Sequence, residues 1–355
     1  MDASKRRICI YFVVDDAYLP LALVQALRLV KHNQSADIII FLESSSSPQD
    51  FQHPRIQVRC NVLTEYLGKL PRFNDRYNNI IYGRLIAPHL LTEYESALYL
   101  DCDIGIFGDP LDRMDAIRSH DFALAAVADS AEINARIGSN KAKQVASLTA
   151  RGIKPPNYFN SGVILLRPEV FSASFTLKHL QDYLENYREH IRFPDQDFLN
   201  HIFQGRSAQL LPRMNFQTPM IKDHLDEAFQ PVIYHYYGGL RPWQKNRGLL
   251  ARRHYAYFRD ARLELAEPHR SARIFNTQSG GAGIQEAAQE LTRNRLAMTF
   301  RHLMGGRQAE RRNNWAQAYL AKLSSETFAD MLPGEADVLK QALERALANS
   351  PVPQP

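Results

Sequence analysis

Hydrophobic and polar positions along this chain follow two rhythms. Residues 8–14 (ICIYFVV) form a short run of β-branched and aromatic side chains that stops at Asp15 and Asp16. From Leu19 to Val30 apolar positions recur at helical spacing. Residues 37–42 (DIIIFL) and 56–60 (IQVRC) predict two further strands. Strand, helix and strand in this order imply a parallel sheet with helices on its faces, and such sheets bind ligands at the carboxyl ends of their strands. The segment 78–91 reads as helical and is followed by SALYLDCDIGIFGDPL, an apolar strand broken by two aspartates. Buried strands are predicted at 122–128, ending at Asp129, and at 163–166, cut off by Pro168. Helical spacing returns over about 174–190 and at PDQDFLNHIF, and 232–237 (VIYHYY) predicts a strand before a Gly-Gly turn.

Beyond residue 260 the character changes. Pro268, Ser279, Gly280, Gly281 and Gly283 give 266–285 a linker-like composition. The last stretch is amphipathic, with Leu339, Leu343 and Leu347 spaced by four and Val338, Ala342 and Ala346 beside them. The expectation is an α/β fold with one domain over 1–260 and a basic, mainly helical extension over 261–355 that ends in a disordered PVPQP tail.

Composition narrows the class. Of the 355 residues, 45% are apolar and 23% charged, which excludes a disordered, collagen-like or disulfide-scaffold chain. No run approaches the ~18 apolar residues of a membrane-spanning helix. The N-terminus has too short an apolar run and no small-residue cleavage site, so it predicts a first strand and not a signal peptide. Cys9, Cys60 and Cys102 are odd in number and widely spaced, which points to a reducing, cytoplasmic setting. The net charge of +5 is uneven: residues 241–355 carry a surplus of seven positive charges and residues 1–240 a deficit of two. A basic segment is either a solvated helical face or attracted to something anionic. It lacks the patterns of an RNA-binding sheet, zinc finger or basic zipper, so nucleic acid is not expected. An anionic membrane surface is the better-matched partner.

The Asp101-Cys102-Asp103 triplet bears the most chemistry. If extended, it places both carboxylates on one face and Cys102 on the other. Adjacent carboxylates repel unless a positive charge lies between them, and hard oxygen ligands suit magnesium or manganese. The alternative is a pair of turn aspartates. His235, in an apolar strand, is the best third ligand, although such a histidine is also an ordinary core residue; nitrogen shifts the preference toward manganese. The glycines after it would let backbone amides approach a phosphate, and Arg241 could fork onto its oxygens. Asp195 and Asp197 flank Gln196 at a helix start, where one of them is a natural cap. Asn160-Ser161-Gly162 precedes a buried strand and offers either sugar-reading polar groups or a turn. Arg84, on an apolar helix face, needs an anion or snorkels to the surface. No dinucleotide glycine fingerprint or phosphate-loop lysine is present.

Together, VVDDAYLPLALVQAL, YGRL, LYLDCDIGI, FNSGVILL, PDQDFLN and HYYGGLRPW resemble, in this order, glycosyltransferase family 8. The resemblance covers roughly residues 8–245, and the bacterial lipopolysaccharide galactosyl- and glucosyltransferases look like the nearest branch. It implies a single Rossmann-like nucleotide-sugar-binding domain of GT-A type, with a mixed, mostly parallel sheet. It also implies a retaining transferase moving glucose or galactose from a UDP-sugar to a glycan or glycolipid acceptor with manganese, or possible magnesium, as cofactor. By resemblance, Asp101, Asp103 and His235 match the metal ligands; Val13 and Asp15 match positions at the uracil and ribose, and Tyr18 the aromatic that stacks on the base. Arg84 and Asp129 match positions near the donor sugar, Asn160, Asp195 and Gln196 line it and its anomeric carbon, and Gly238 and Arg241 meet the diphosphate. Ala17 stands where a polar residue often contacts the nucleotide, and Arg241 where lysine is usual.

The reaction so implied depends on stabilising charge on the departing diphosphate. Retention needs a protein nucleophile or attack from the leaving-group face. Gln196 is a poor nucleophile and Asp195 the nearer acid, which favours front-face attack. Two rival readings remain at this point. A haloacid dehalogenase-type phosphatase also uses Asp-x-Asp after an apolar strand, but Gly105 stands where its pattern wants Thr or Val. A non-catalytic nucleotide-sugar-binding protein would not require all three metal ligands. The basic extension and a lipid-linked acceptor would place the protein at the inner face of the cytoplasmic membrane.

Overall fold

The computed structural model describes residues 6–44, 51–74, 78–118, 120–137, 140–237, 240–244, 248–275 and 309–348. Its centre is a seven-stranded sheet. The strands are β1 (Arg6–Asp15), β2 (Asp37–Glu43), β3 (Ile56–Cys60), β4 (Tyr94–Leu100), β6 (Leu124–Ala128), β7 (Phe159–Leu166) and β8 (Ser207–Leu210). Their order is β3-β2-β1-β4-β7-β6-β8. All neighbours are parallel except β7, which runs antiparallel to both β4 and β6. This is the mixed, mostly parallel sheet expected of the GT-A type.

Period-two alternation sorts β1 between two cores. Ile8, Ile10, Phe12 and Val14 pack with the helix Leu19–His32, while Cys9 and Tyr11 face Leu85, Phe198 and their neighbours on the other side. Burial on both faces is why the strands read as continuous apolar runs. The three cysteines are unpaired. The segment 78–91 is short helical pieces, with Arg84 in the α-turn Gly83–Ile86 between two 3₁₀ turns.

A smaller sheet, β5-β10-β9, joins β5 (Ile104–Ile106), β9 (Phe216–Gln217) and β10 (Ile233–His235). β10 runs antiparallel to β5, with His235 opposite Ile104, and parallel to β9, with His235 opposite Gln217. The chain therefore changes sheets between Leu100 and Ile104. Asp101-Cys102-Asp103 is the bend that makes this change and not an extended strand end, so its carboxylates are brought together by the turn and not by strand alternation. Likewise, Asn160-Ser161-Gly162 does not precede its strand but lies inside β7.

Residues 309–325 are helical, and the helix Glu335–Ala348 follows. Trp315, Tyr319, Leu339, Leu343 and Ala346 join the same apolar core as Ile10 and Phe12, with Leu347 partly buried against it. Val338 faces outward. Gly238, the stretch 276–308 and the PVPQP tail lie outside the described residues. Among the described residues no helix is long and apolar enough to cross a membrane.

Candidate metal and donor-sugar site

Three elements converge where the two sheets meet. The Asp101 amide donates to the Gly162 carbonyl at 2.7 Å, and the Tyr236 amide to the Asp103 carbonyl at 2.9 Å. These bonds lock the acidic bend between β7 and β10. His235 Nε2 lies 3.4 Å from Asp103 Oδ1 and 3.7 Å from Asp101 Oδ2. One ligand atom from each of the three residues falls within 4.8 Å of the others. Burial pulls the His235 pKa down, but the hydrogen bond with Asp103 and the charges of Asp103 and Asp101 outweigh it and leave it raised. An imidazole edge facing two carboxylates is a seat for a cation, whether a proton or a divalent metal. Hard oxygens plus one nitrogen suit Mn²⁺ better than Ca²⁺. The donor set therefore fits the expected ion.

The ring fits there because residue 162 has no side chain. A Cβ at Gly162 would stand 2.2 Å from His235 Cε1 and 2.9 Å from Asp101 Oδ2. On its far side His235 Nδ1 is 3.0 Å from Asn215 Oδ1.

Arg84 is the fixed cation of the site. Its Nη2 reaches Asp101 Oδ1 at 2.9 Å and its Nε lies 3.1 Å from Asp195 Oδ2. Nη1 donates to the carbonyl and hydroxyl of Ser161 at 3.0 and 3.1 Å. The guanidinium lies 4.7 Å above the Tyr99 ring, whose hydroxyl donates to Asp101 Oδ1 at 2.5 Å. Burial raises the Asp195 pKa against the opposing pull of Arg84.

Beyond Arg84 the polar groups form one connected set. Ser161 N–H donates to Gln196 Oε1 at 3.0 Å, and Gln196 Nε2 lies 3.4 Å from Asp129 Oδ2. Asn160 Nδ2 donates to the same carboxylate oxygen at 3.0 Å. Asp129 Oδ1 caps the helix Ser130–Arg136 through the Ala131 amide. Of the two acids flanking Gln196, Asp197 is fully buried and accepts from Arg151, Tyr158 and the amides of Arg192 and Phe193. It anchors the helix Pro194–Ile202 and leaves Asp195 and Gln196 facing the site.

Arg84, Asp101, Asp103, Asp129, Asn160, Asp195, Gln196 and His235 thus share one network. Of the remaining candidates, Gly238 lies outside the described residues. Val13 is half-buried beside Gly83, and Asp15 Oδ1 accepts the amides of Ala17 and Tyr18 at the start of the first helix. Tyr18 is 42% exposed. Burial and Cys102 push its phenol up, against the opposing pull of Arg241. Sequence reasoning passed over Asn215 and Tyr99. A polar residue inside the apolar MNF run was the sole signal for Asn215, and Tyr99 looked like any strand aromatic.

Residues 9–247 match the family model described as glycosyl transferase family 8. General stress protein A of Bacillus subtilis (strain 168) is 24% identical over 181 residues, 46% of this chain and 59% of that protein. Galactinol synthase 6 of Arabidopsis thaliana is 26% identical over 162 residues, 43% of this chain and 47% of that one. The chain spans about half the length of the curated relatives it matches. Among solved structures, galactosyltransferase LgtC, crystallised with donor and acceptor sugar analogs, superposes with a TM-score of 0.57. It is 20% identical, over 70% of this chain and 94% of that one. The bifunctional glycosyltransferase WbbM gives 0.56 at 17% identity, over 74% and 50%. At these identities the likeness is one of fold.

Proposed function

The chain belongs to glycosyltransferase family 8, and from that premise we propose a retaining, metal-dependent transferase that moves glucose or galactose from a UDP-sugar to a glycan or glycolipid acceptor. The observation that carries this reading is the convergence of Asp101, Asp103 and His235 beside Arg84, with Nε2 turned toward both carboxylates. The names of its relatives, a galactosyltransferase and a galactinol synthase, favour a hexose donor.

Asp101, Asp103 and His235 would hold Mn²⁺, with Mg²⁺ as the weaker alternative. An ion held by these three residues would supply positive charge against which the departing diphosphate's negative charge is stabilised. Asp15 and Tyr18 would take the nucleoside, and Arg241 with the Gly238 backbone the diphosphate. Arg84 keeps Asp101 and Asp195 in place and lines the sugar side. Gln196 is spent on Ser161 and Asp129, and an amide is a poor nucleophile. Asp195 is tied to Arg84. This favours front-face attack, in which the acceptor hydroxyl gives its proton to the leaving phosphate oxygen.

The test is a nucleotide-sugar panel read by hydrolysis, with and without Mn²⁺. Turnover of UDP-glucose or UDP-galactose that needs the metal and vanishes in Asp103→Ala is expected; phosphate release from a simple phosphoester instead would overturn it. A lipopolysaccharide acceptor and a peripheral cytoplasmic location belong to the same proposal, supported by the basic C-terminal segment. Sedimentation of the full chain with anionic but not zwitterionic vesicles tests the location. Each basic residue near an anionic leaflet contributes ~1 kcal/mol.

A further inference from the structure

Asn215 is fully buried, one residue before β9, and touches both halves of the site. Its Oδ1 meets His235 Nδ1 at 3.0 Å and its Nδ2 donates to Asn160 Oδ1 at 2.9 Å. The direction of this chain follows from groups whose roles cannot change. The Gly162 amide is an obligatory donor and reaches Asn160 Oδ1 at 3.0 Å. The Asp129 carboxylate is an acceptor, already receiving the Ala131 amide, and takes Asn160 Nδ2. Asn160 therefore presents its oxygen to Asn215. Asn215 must answer with its Nδ2, which turns its own oxygen to the histidine. An imidazole nitrogen facing an acceptor carries a proton, so His235 Nδ1–H donates to Asn215 Oδ1; Nε2 faces the Asp101 and Asp103 carboxylates, and its proton is the one a divalent cation would displace.

We propose that Asn215 is a positioning residue that holds the proton on His235 Nδ1 and so leaves Nε2 free for a divalent cation, and that it couples this ligand to the sugar-side groups Asn160 and Asp129. The proposal rests on the metal-site reading above. Partners on the second nitrogen of a ligating histidine fix its orientation, and losing them weakens metal binding. Asn215→Leu keeps the volume and removes both hydrogen bonds. Asn215→Asp keeps an acceptor for Nδ1 in either protonation state.

The experiment uses the full chain and Mn²⁺ alone. Affinity is read by water-proton relaxation, and the Nδ1 proton of His235 by ¹H–¹⁵N NMR of the metal-free protein. The wild type is expected to show a hydrogen-bonded Nδ1–H signal protected from exchange. Asn215→Leu is expected to lose that protected signal and about 10–100-fold in Mn²⁺ affinity. Asn215→Asp is expected to keep both signal and affinity. A wild-type spectrum without a protected Nδ1–H overturns the proposal, and needs no variant to fold. So does a folded Asn215→Leu that binds Mn²⁺ as tightly as wild type. Absence of Mn²⁺ binding in every form refutes the metal reading instead, while the Nδ1–H spectrum still decides the role of Asn215.

Discussion

One methyl group at position 162 tests the geometry of the site directly. The Gly162 backbone does not occupy the left-handed region, so alanine meets no conformational penalty and the effect of Gly162→Ala is purely one of space. The new Cβ would stand 2.2 Å from His235 Cε1, 2.8 Å from Nδ1 and 2.9 Å from Asp101 Oδ2. Carbon atoms pack at about 3.5–4.0 Å, so the ring must retreat by more than ~1 Å. Strand β7 cannot yield easily, because it pairs with β4 and Gly162 holds the Asp101 amide. Overpacking of this kind costs about 1–3 kcal/mol, which a domain stable by ~5–15 kcal/mol survives. The site fares worse, because His235 leaves both the carboxylates and Asn215. Mn²⁺ affinity is expected to fall at least ~10-fold. UDP-sugar turnover is expected to fall on the order of 10²–10³. Gly108→Ala is the matched control, since its Cβ would meet Val232 at an ordinary 3.5 Å. Circular dichroism establishes folding, relaxation titration the metal, and hydrolysis the rate. A folded Gly162→Ala with Mn²⁺ affinity and turnover like those of the control would refute the placement of His235 described above.

Three further outcomes are expected. Lys322 is fully buried and contacts Glu132 and, at 3.0 Å, Glu326. Lys322→Met leaves Glu132, among the described residues, with Arg136 as its cation and is expected to lower unfolding free energy by about 3 kcal/mol in urea titrations; an unchanged midpoint would show that the extension is not clamped there. Asp330 is buried and its pKa is pushed up to about 7, by desolvation against the Leu211 amide and nearby arginines. The folded state then holds a proton that the unfolded state has lost between about pH 4 and pH 7, so this group makes stability fall as pH rises through that window. Asp330→Asn is expected to flatten the decline, by an amount on the order of a few kcal/mol; equal slopes in denaturation at pH 5 and pH 8 would contradict it. Arg84→Lys replaces a fork that reaches Asp101, Asp195 and Ser161 with a point charge. Turnover is expected to fall about 10–100-fold with little change in melting, measured by hydrolysis and thermal shift.

Most strands were legible in the sequence because burial on both faces leaves an unbroken apolar signature, as in β2, β4 and β7. The polar residues that interrupt those runs pointed to Asp101, Asp103, Asp129 and His235 for the same reason: a carboxylate or imidazole at the mouth of an apolar strand is costly unless it has a partner. The amphipathic spacing of Leu339 and Leu343 likewise announced a buried helical face. What one-dimensional pattern could not supply was the pairing of elements far apart in the chain. That the acidic triplet is a bend between two sheets follows from β5 pairing with β10 across well over a hundred residues. That Asp197 is structural while Asp195 faces Arg84 depends on how one helix docks, not on either residue's type. Asn215 left only a polar interruption in the MNF run, because a buried amide is defined by the two groups it connects. Hydrophobic burial acts through local periodicity, so it is written in the sequence; hydrogen-bond partnership and ligand convergence are three-dimensional relations, and only the folded chain decides them.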